Sequence, residues 1–142
     1  MKENVRKYLE EHELKLLADS QVMAKEILRR HSLDKFEDFY EFMSVYGGDL
    51  DGKLGYMFDI IQDIDDEEGV TASLIQNGDI PNNYISLQDF DYEHYLLYDK
   101  SNNHVVLVYD ANSDRLNRGD FDQEWTTFSD FLQWFFELDH DK

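Results

Sequence analysis

The order of patterns along the chain predicts an α+β domain. Segments with helical spacing come first, short runs rich in aromatic and β-branched residues follow, and a strongly apolar helix closes the sequence. With 142 residues, 42% of them hydrophobic and including 10 Phe, 9 Tyr and 2 Trp, the chain has enough apolar mass for a real core. No internal repeat or low-complexity linker divides it, so residues 1–142 are read as a single domain.

The first helix is expected over residues 2–18, because Val5, Tyr8, Leu9, His12 and Leu16 recur at helical spacing. Asp19 or Ser20 suits the cap of a second helix, on which Val22, Met23 and Ile27 form a short apolar stripe. Arg29, Arg30 and His31 stand near its C-terminal end, where positive charge suits the helix dipole. A third helix has the strongest pattern: Phe36, Phe39, Tyr40, Met43 and Tyr46 follow the helical period, with Phe42 beside them. Asp34, with Glu37 three residues on, resembles a capping box. Gly47-Gly48 ends this helix, since glycine adopts the left-handed conformation at little cost.

From Leu54 onward strand signals take over. Residues 56–61 read as a strand, residues 63–69 as an acidic loop, and residues 70–75 fit either a helix or a strand. Ile80-Pro81-Asn82-Asn83-Tyr84 is a turn leading into a short strand over 84–87. Strands over 95–98 and 105–109 are joined through residues 99–104, where Asn102-Asn103 suits the positive backbone angles of a hairpin turn. Residues 110–119 form a polar loop, and Trp125 closes a last strand. The final helix starts near Thr127, with Asp130 as a partial capping box. Phe128, Phe131, Leu132, Phe135, Phe136 and Leu138 make it the most apolar helix, and it is expected to lie across the sheet.

The net charge is −19 and unevenly placed. Residues 1–35 hold eight Lys or Arg and seven Asp or Glu, so the remaining residues hold nearly all of the negative charge. Such a field repels nucleic acid and anionic membranes, and attracts basic proteins. There is no cysteine in the chain, which removes disulfides, thiolate zinc sites and thiol nucleophiles. Residues 1–13 show no apolar secretory core and no run approaches a membrane span, so a cytoplasmic location is expected.

Motifs for catalysis are missing from the sequence. There is no G-x-S-x-G, no G-x-G-x-x-G, no Walker loop and no H-E-x-x-H. Asp110, Asn112 and Asp114 match the first positions of a calcium loop, but Arg115 stands where glycine is needed and Phe121 where the last glutamate is needed. A solvated hairpin loop is the better reading. The acidic run Asp63, Asp65, Asp66, Glu67 and Glu68 fails the same test, and reads as a solvated charge run or a partner-binding patch. His94 and His104 flank the hairpin and are placed to approach each other, as polar covering rather than a metal pair. No cofactor is called for.

Four segments resemble the SUKH superfamily, the Smi/Knr-type domain. They are the aromatic helix Phe39-Tyr40-Glu41-Phe42-Met43-Ser44-Val45-Tyr46-Gly47-Gly48, the turn and strand Ile80-Pro81-Asn82-Asn83-Tyr84-Ile85-Ser86-Leu87, the pair Tyr95-Leu96-Leu97-Tyr98-Asp99 and Val105-Val106-Leu107-Val108-Tyr109-Asp110, and the capped start Thr127-Phe128-Ser129-Asp130-Phe131-Leu132. The resemblance implies an α+β fold with a curved antiparallel sheet and helices packed at its side. It also implies a non-enzymatic role with no catalytic residue to carry over. Many bacterial members are immunity proteins that neutralise a cognate toxin, often a nuclease. Others are regulatory or scaffolding interaction modules.

Together these observations lead to an expected function: immunity by direct binding of a toxin protein with a basic domain. A nuclease must present a basic groove to phosphates, and an acidic protein is steered to such a groove. The expected contact residues are Asp63, Asp65, Asp66, Glu67 and Glu68, with Asp89, Asp91 and Glu93 as a second cluster and Tyr92 as an exposed aromatic anchor. The alternative is a regulatory or scaffolding module without a toxin partner.

Overall fold

A four-stranded antiparallel sheet, ordered β3-β4-β5-β6, carries the architecture of this chain. Its strands are β3 (Tyr84–Ser86), β4 (Tyr95–Asp99), β5 (His104–Val108) and β6 (Gln123–Trp125). The structure, a computed structural model, describes residues 1–47, 49–90 and 92–138. Leu96 to Asp99 and Val105 to Val108 are buried at every position. That explains why these strands read as continuous apolar runs rather than alternating ones: both sheet faces are covered.

One face belongs to the main core. Ile85, Leu87, Leu96, Tyr98, Val105, Leu107 and Trp125 pack there with the aromatic residues of α7 (Phe128–Phe135) and of α3 (Glu37–Glu41) with its continuation. The Phe39 and Tyr98 rings stack with centroids 3.9 Å apart, and Phe128 meets Tyr98 edge-on at 5.5 Å. The other face carries Tyr84, Leu97, Val106 and Val108, covered by Ile80, Leu116, Leu74 and Ile75. The last two belong to α5 (Val70–Gln76), which resolves the ambiguity of that segment as a helix.

Around the main core lie α1 (Glu3–Glu11) and α2 (Ala18–Arg30), which bury Val5, Leu9, Ala24, Ile27 and Leu28. The expected single helix over 2–18 is interrupted: α1 stops at Glu11, and Glu13 adopts a left-handed φ of 55°. Leu16 N–H then donates to the Val45 carbonyl at 2.7 Å, tying this turn to the third helix. The α2 stripe also differs from expectation. Val22 and Met23 are exposed at 67% and 63%, and the buried side runs through Ala24, Ile27 and Leu28 instead. Leu17, not Asp19 or Ser20, occupies its N-cap, without a side-chain bond.

The Asp34–Glu37 capping box does not form. Phe36 is the N-cap of α3 and makes no side-chain cap. Beyond Glu41 the helix widens into a π-turn over Phe42–Tyr46, closed by Gly47 N–H on the Phe42 carbonyl at 2.9 Å. Phe42, Met43 and Tyr46 in this turn are all buried in the core. Gly47 is needed for space rather than for a left-handed angle: its φ is 3°, and a β-carbon would stand 2.8 Å from the Met43 carbonyl oxygen. Gly48 lies outside the described residues.

The segment read as one strand over 56–61 divides in two. Gly55–Met57 is strand β2, paired antiparallel with β1 (Leu50–Gly52) in a small hairpin that the sequence did not announce. Ile60–Ile64 is helix α4, capped by the Asp59 carboxylate, which accepts from Ile61 and Gln62 N–H. The expected polar loop over 110–119 likewise holds structure: a 3-10 turn at Tyr109–Ala111 and helix α6 (Ser113–Asn117). Asn112 caps α6, and Arg115 grips Asp122 with two bonds of 3.0 Å. Of the side chains suggestive of a calcium loop, Asn112 thus caps α6 and Asp114 stands in its first turn, while Asp110 belongs to the 3-10 turn before it. Asn103 takes the expected positive φ, 70°, and Thr127 caps α7 through the Asp130 N–H.

One polar junction holds these parts together. The Asp38 carboxylate accepts from Phe39 N–H in α3, from the Asn103 side-chain amide in the β4–β5 turn, and from Ser129 N–H in α7, at 2.8–3.0 Å. Asn103 in turn accepts from the Tyr98 hydroxyl at 2.9 Å. Among the described residues no helix is long and apolar enough to cross a membrane.

Candidate functional site

The acidic segments that the sequence singled out meet at one cleft of about 730 Å³. Asp66 comes from the turn after α4, and Asp89 and Tyr92 from the segment between β3 and β4. Three contributions were invisible in the sequence pattern: Asp49 before β1, Tyr56 and Phe58 at β2, and Asp59 and Gln62 at the start of α4. The cleft is therefore walled by aromatic rings and by five aspartates, with buried Asp63 among them, and among the described residues no Lys or Arg lines it.

Its geometry is set by the β1–β2 hairpin. Tyr56 N–H donates to the Tyr92 hydroxyl at 2.7 Å, which locks the hairpin to the segment before β4. A β-carbon at Gly55 would stand 2.8 Å from the Tyr92 ring, and Gly55 has φ of 102°, so only glycine lets Tyr92 lie so close. Behind this contact, buried Gln88 donates to the Leu54 carbonyl at 3.0 Å and holds the hairpin a second time. Packing of the Tyr56 ring, together with the Asp49 and Asp51 carboxylates, holds its phenol above its usual pKa.

The predicted contact residues fall into distinct roles. Asp66 and Asp89 face the cleft, each bonded to a backbone N–H nearby: Asp66 accepts from Glu68 N–H and Asp89 from Phe90 N–H. Tyr92 faces it too, but is half-buried and fixed by its hydroxyl rather than being a free anchor. Asp63 corrects the expectation most sharply. It is 9% exposed and its two oxygens accept from Val70 and Thr71 N–H at 2.7 and 3.2 Å, so it caps α5 from outside. Burial raises its pKa, and outweighs the two N–H donors that would lower it. Gly69 permits this approach, because a β-carbon there would meet the Asp63 carboxylate at 2.6 Å.

Asp65 points away from the cleft. It bonds His31, just past the end of α2, at 3.0 Å and Arg30, the last residue of α2, at 2.9 Å, and these partners hold its carboxyl below the usual range. Glu67, Glu68 and Glu93 are exposed and do not line the cleft. Asp91 lies outside the described residues.

The two histidines expected to approach each other stand at opposite ends of the β4–β5 ladder. His104 pairs with Asp99 at one end and bonds Glu124 at 2.8 Å. His94 precedes Tyr95 at the other end and meets Gln88 Oε1, and burial lowers its pKa. Among the described residues no group of three or more His, Asp or Glu side chains is placed to hold a metal ion. Compared with family models, curated proteins and solved structures, the chain matches none.

Proposed function

We propose that this chain is an immunity protein of the SUKH, or Smi/Knr-like, kind, and that it neutralises a cognate toxin by placing its acidic cleft against the toxin's basic surface. The observation that carries this reading is the convergence of Asp49, Asp59, Asp66 and Asp89 with Tyr56, Phe58 and Tyr92 on one cleft that, among the described residues, no Lys or Arg lines. Carboxylates in such a cleft attract cationic side chains and raise the rate of encounter. Aromatic walls supply the apolar contact that charge alone does not.

The four segments that resemble the family support the same reading. They become α3 with its π-turn, β3, the β4–β5 pair and α7, which pack on one another in the main core. The curved sheet of the family belongs to this proposal, as does action in the cytoplasm without catalysis or cofactor. A nuclease is the toxin that fits best, because its phosphate-binding groove must be basic.

The test is a pull-down from the source organism for a toxin with a basic domain, followed by co-expression of the captured protein with this chain. Protection of the cell, and a purified complex that weakens as salt rises, are the expected results. Asp66→Lys with Asp89→Lys should abolish protection, whereas Glu67→Lys with Glu68→Lys should leave it. Failure to protect or to bind sinks the immunity reading. Protection that is indifferent to the first pair of changes moves the interface elsewhere.

A further inference from the structure

Beside the acidic cleft lies a second, smaller cavity of about 190 Å³, and Asp89 and Tyr92 line both. Val70 and Leu74 of α5 and Ala111 give it apolar walls, and Phe90 stands at it with 58% of its surface exposed. Its polar groups are largely satisfied within the fold. Gln88 donates to the Leu54 carbonyl and receives His94 Nε2, its backbone carbonyl accepts from Ser86 Oγ, and Tyr95 meets Ser113. Burial favours the neutral form of His94. A cavity of about 150 Å³ takes a benzene ring, so this space is large enough for one phenyl or branched aliphatic group, with Val70, Leu74 and Ala111 as its apolar side.

Tyr56, Phe90 and Tyr109 are three of the six large apolar side chains exposed by 40% or more among the described residues. Tyr56 lines the cleft, Phe90 lines the small cavity, and Tyr109 is two residues before Ala111 of the same cavity. An apolar centre with a polar rim is the usual build of a protein-binding surface, and here exposed Tyr56 stands at the charged cleft and exposed Phe90 at the small cavity next to it. The cleft's five aspartates, with no Lys or Arg among the described residues lining it, fix the sign of what binds beside that space.

We propose that the acidic cleft and the small apolar cavity form one two-part docking site, whose occupant is a protein segment carrying an arginine or lysine next to a phenyl or branched aliphatic side chain. This rests on the reading that the chain binds a protein, and refines what that protein must present. The cation enters the cleft among the Asp66 and Asp89 carboxylates and the faces of Tyr56 and Tyr92. The apolar side chain enters the small cavity beside Phe90 and supplies most of the affinity.

The experiment uses the full chain, labelled with ¹⁵N, and three capped pentapeptides: one with arginine beside phenylalanine, one with serine in place of the phenylalanine, and one with citrulline in place of the arginine. The first should bind saturably and shift the amides of Tyr56, Tyr92 and His94 together. Losing the phenyl group should weaken binding at least about fivefold and remove the shift at His94. Losing the charge should remove the shift at Tyr56. Phe90→Ala should bring the first two peptides to the same affinity, with the melting temperature unchanged because that side chain is exposed. Equal binding of the first two peptides by the unaltered chain, shifts confined to another surface, or no saturation at millimolar peptide would overturn the proposal. Its failure is separable from that of the immunity reading. Peptide discrimination without toxin binding leaves the docking site standing, and toxin binding without peptide discrimination leaves immunity standing.

Discussion

The junction around Asp38 and the cleft around Asp66 are built from the same residue type and use it in opposite ways. At the junction one carboxylate receives three N–H donors from α3, the hairpin turn and α7, which are far apart in sequence. At the cleft Asp59, Asp66 and Asp89 gather, each accepting from backbone N–H groups of its own turn. The first arrangement relieves charge by hydrogen bonding and fastens elements together. The second leaves mutual repulsion in place, which costs folding stability and favours a cationic visitor. A chain with net charge −19 can therefore hold some of its acid as structure and some as binding surface, and bonding, not composition, tells the two apart.

The largest expected effect comes from emptying the junction. Asp38→Ala strands Ser129 N–H and the Asn103 amide together, and Asn103 then loses its orientation toward the Tyr98 hydroxyl. Hydrogen bonds to a charged group contribute about 1.5–3 kcal/mol each, so a half-exposed site with three of them should lose about 3 kcal/mol. Urea denaturation measures it. A loss under about 1 kcal/mol would place the junction with ordinary surface positions and erase the contrast drawn above.

Asp63 sits on the border, since it lines the cleft yet caps α5. Asp63→Asn keeps one acceptor but sets an amide N–H₂ against a backbone N–H, which should cost about 1–2 kcal/mol at neutral pH. The pH dependence is the sharper test. Because the folded pKa of Asp63 is raised above 3.8, the folded chain holds a proton there at pH values where the unfolded chain has lost it. Its contribution to stability therefore falls as pH rises from 3.8 through the folded pKa. The stability gap between the unaltered chain and the variant should be wider at about pH 4 than at pH 7. Asp65, whose pKa is lowered by His31 and Arg30, has the opposite sign: its contribution is present above 3.8 and is lost as pH falls through its folded value. A gap for Asp63→Asn that widens with pH would mean that the Val70 and Thr71 N–H groups outweigh burial.

How much of this was legible depended on the range of the interactions involved. The β4–β5 pair, the Asn103 turn and the Thr127 cap follow from local chemistry, and each appears in the fold. The hairpin of β1 and β2 was not legible, because its strands have three residues each and are held by long-range contacts, such as Lys53 N–H on the Phe135 carbonyl. The π-turn was missed because periodicity counts residues and not the carbonyl each N–H reaches. In the acidic run, sequence could mark five carboxylates but not sort them. Asp63 turned inward to a helix start and Asp65 to α2, while Asp66 met Asp49 and Asp89 across the cleft. The apparent cap at Asp34 does not form because the helix starts only at Glu37, with Phe36 as its N-cap, while Asp38 in its first turn reaches partners 65 and 91 residues away.

The smallest expected effect on folding is the most telling about function. Asp66→Asn combined with Asp89→Asn keeps the oxygen that each side chain offers to its own turn. Neither carboxylate is paired with a cation among the described residues. Folding stability should therefore change by no more than about 0.5 kcal/mol, with relief of repulsion offsetting any loss. Association is a different matter. Removing two charges from a cleft that holds five aspartates should slow capture of a basic partner, and make the rate less sensitive to salt. Stopped-flow association at two ionic strengths, beside urea denaturation of the same variant, separates the two outcomes. If the variant unfolds as easily as Asp38→Ala, the cleft aspartates are structural and the contrast collapses. If it is stable and binds as fast as the unaltered chain at low salt, the cleft's charge does not steer the partner, and binding must rest on the aromatic walls alone.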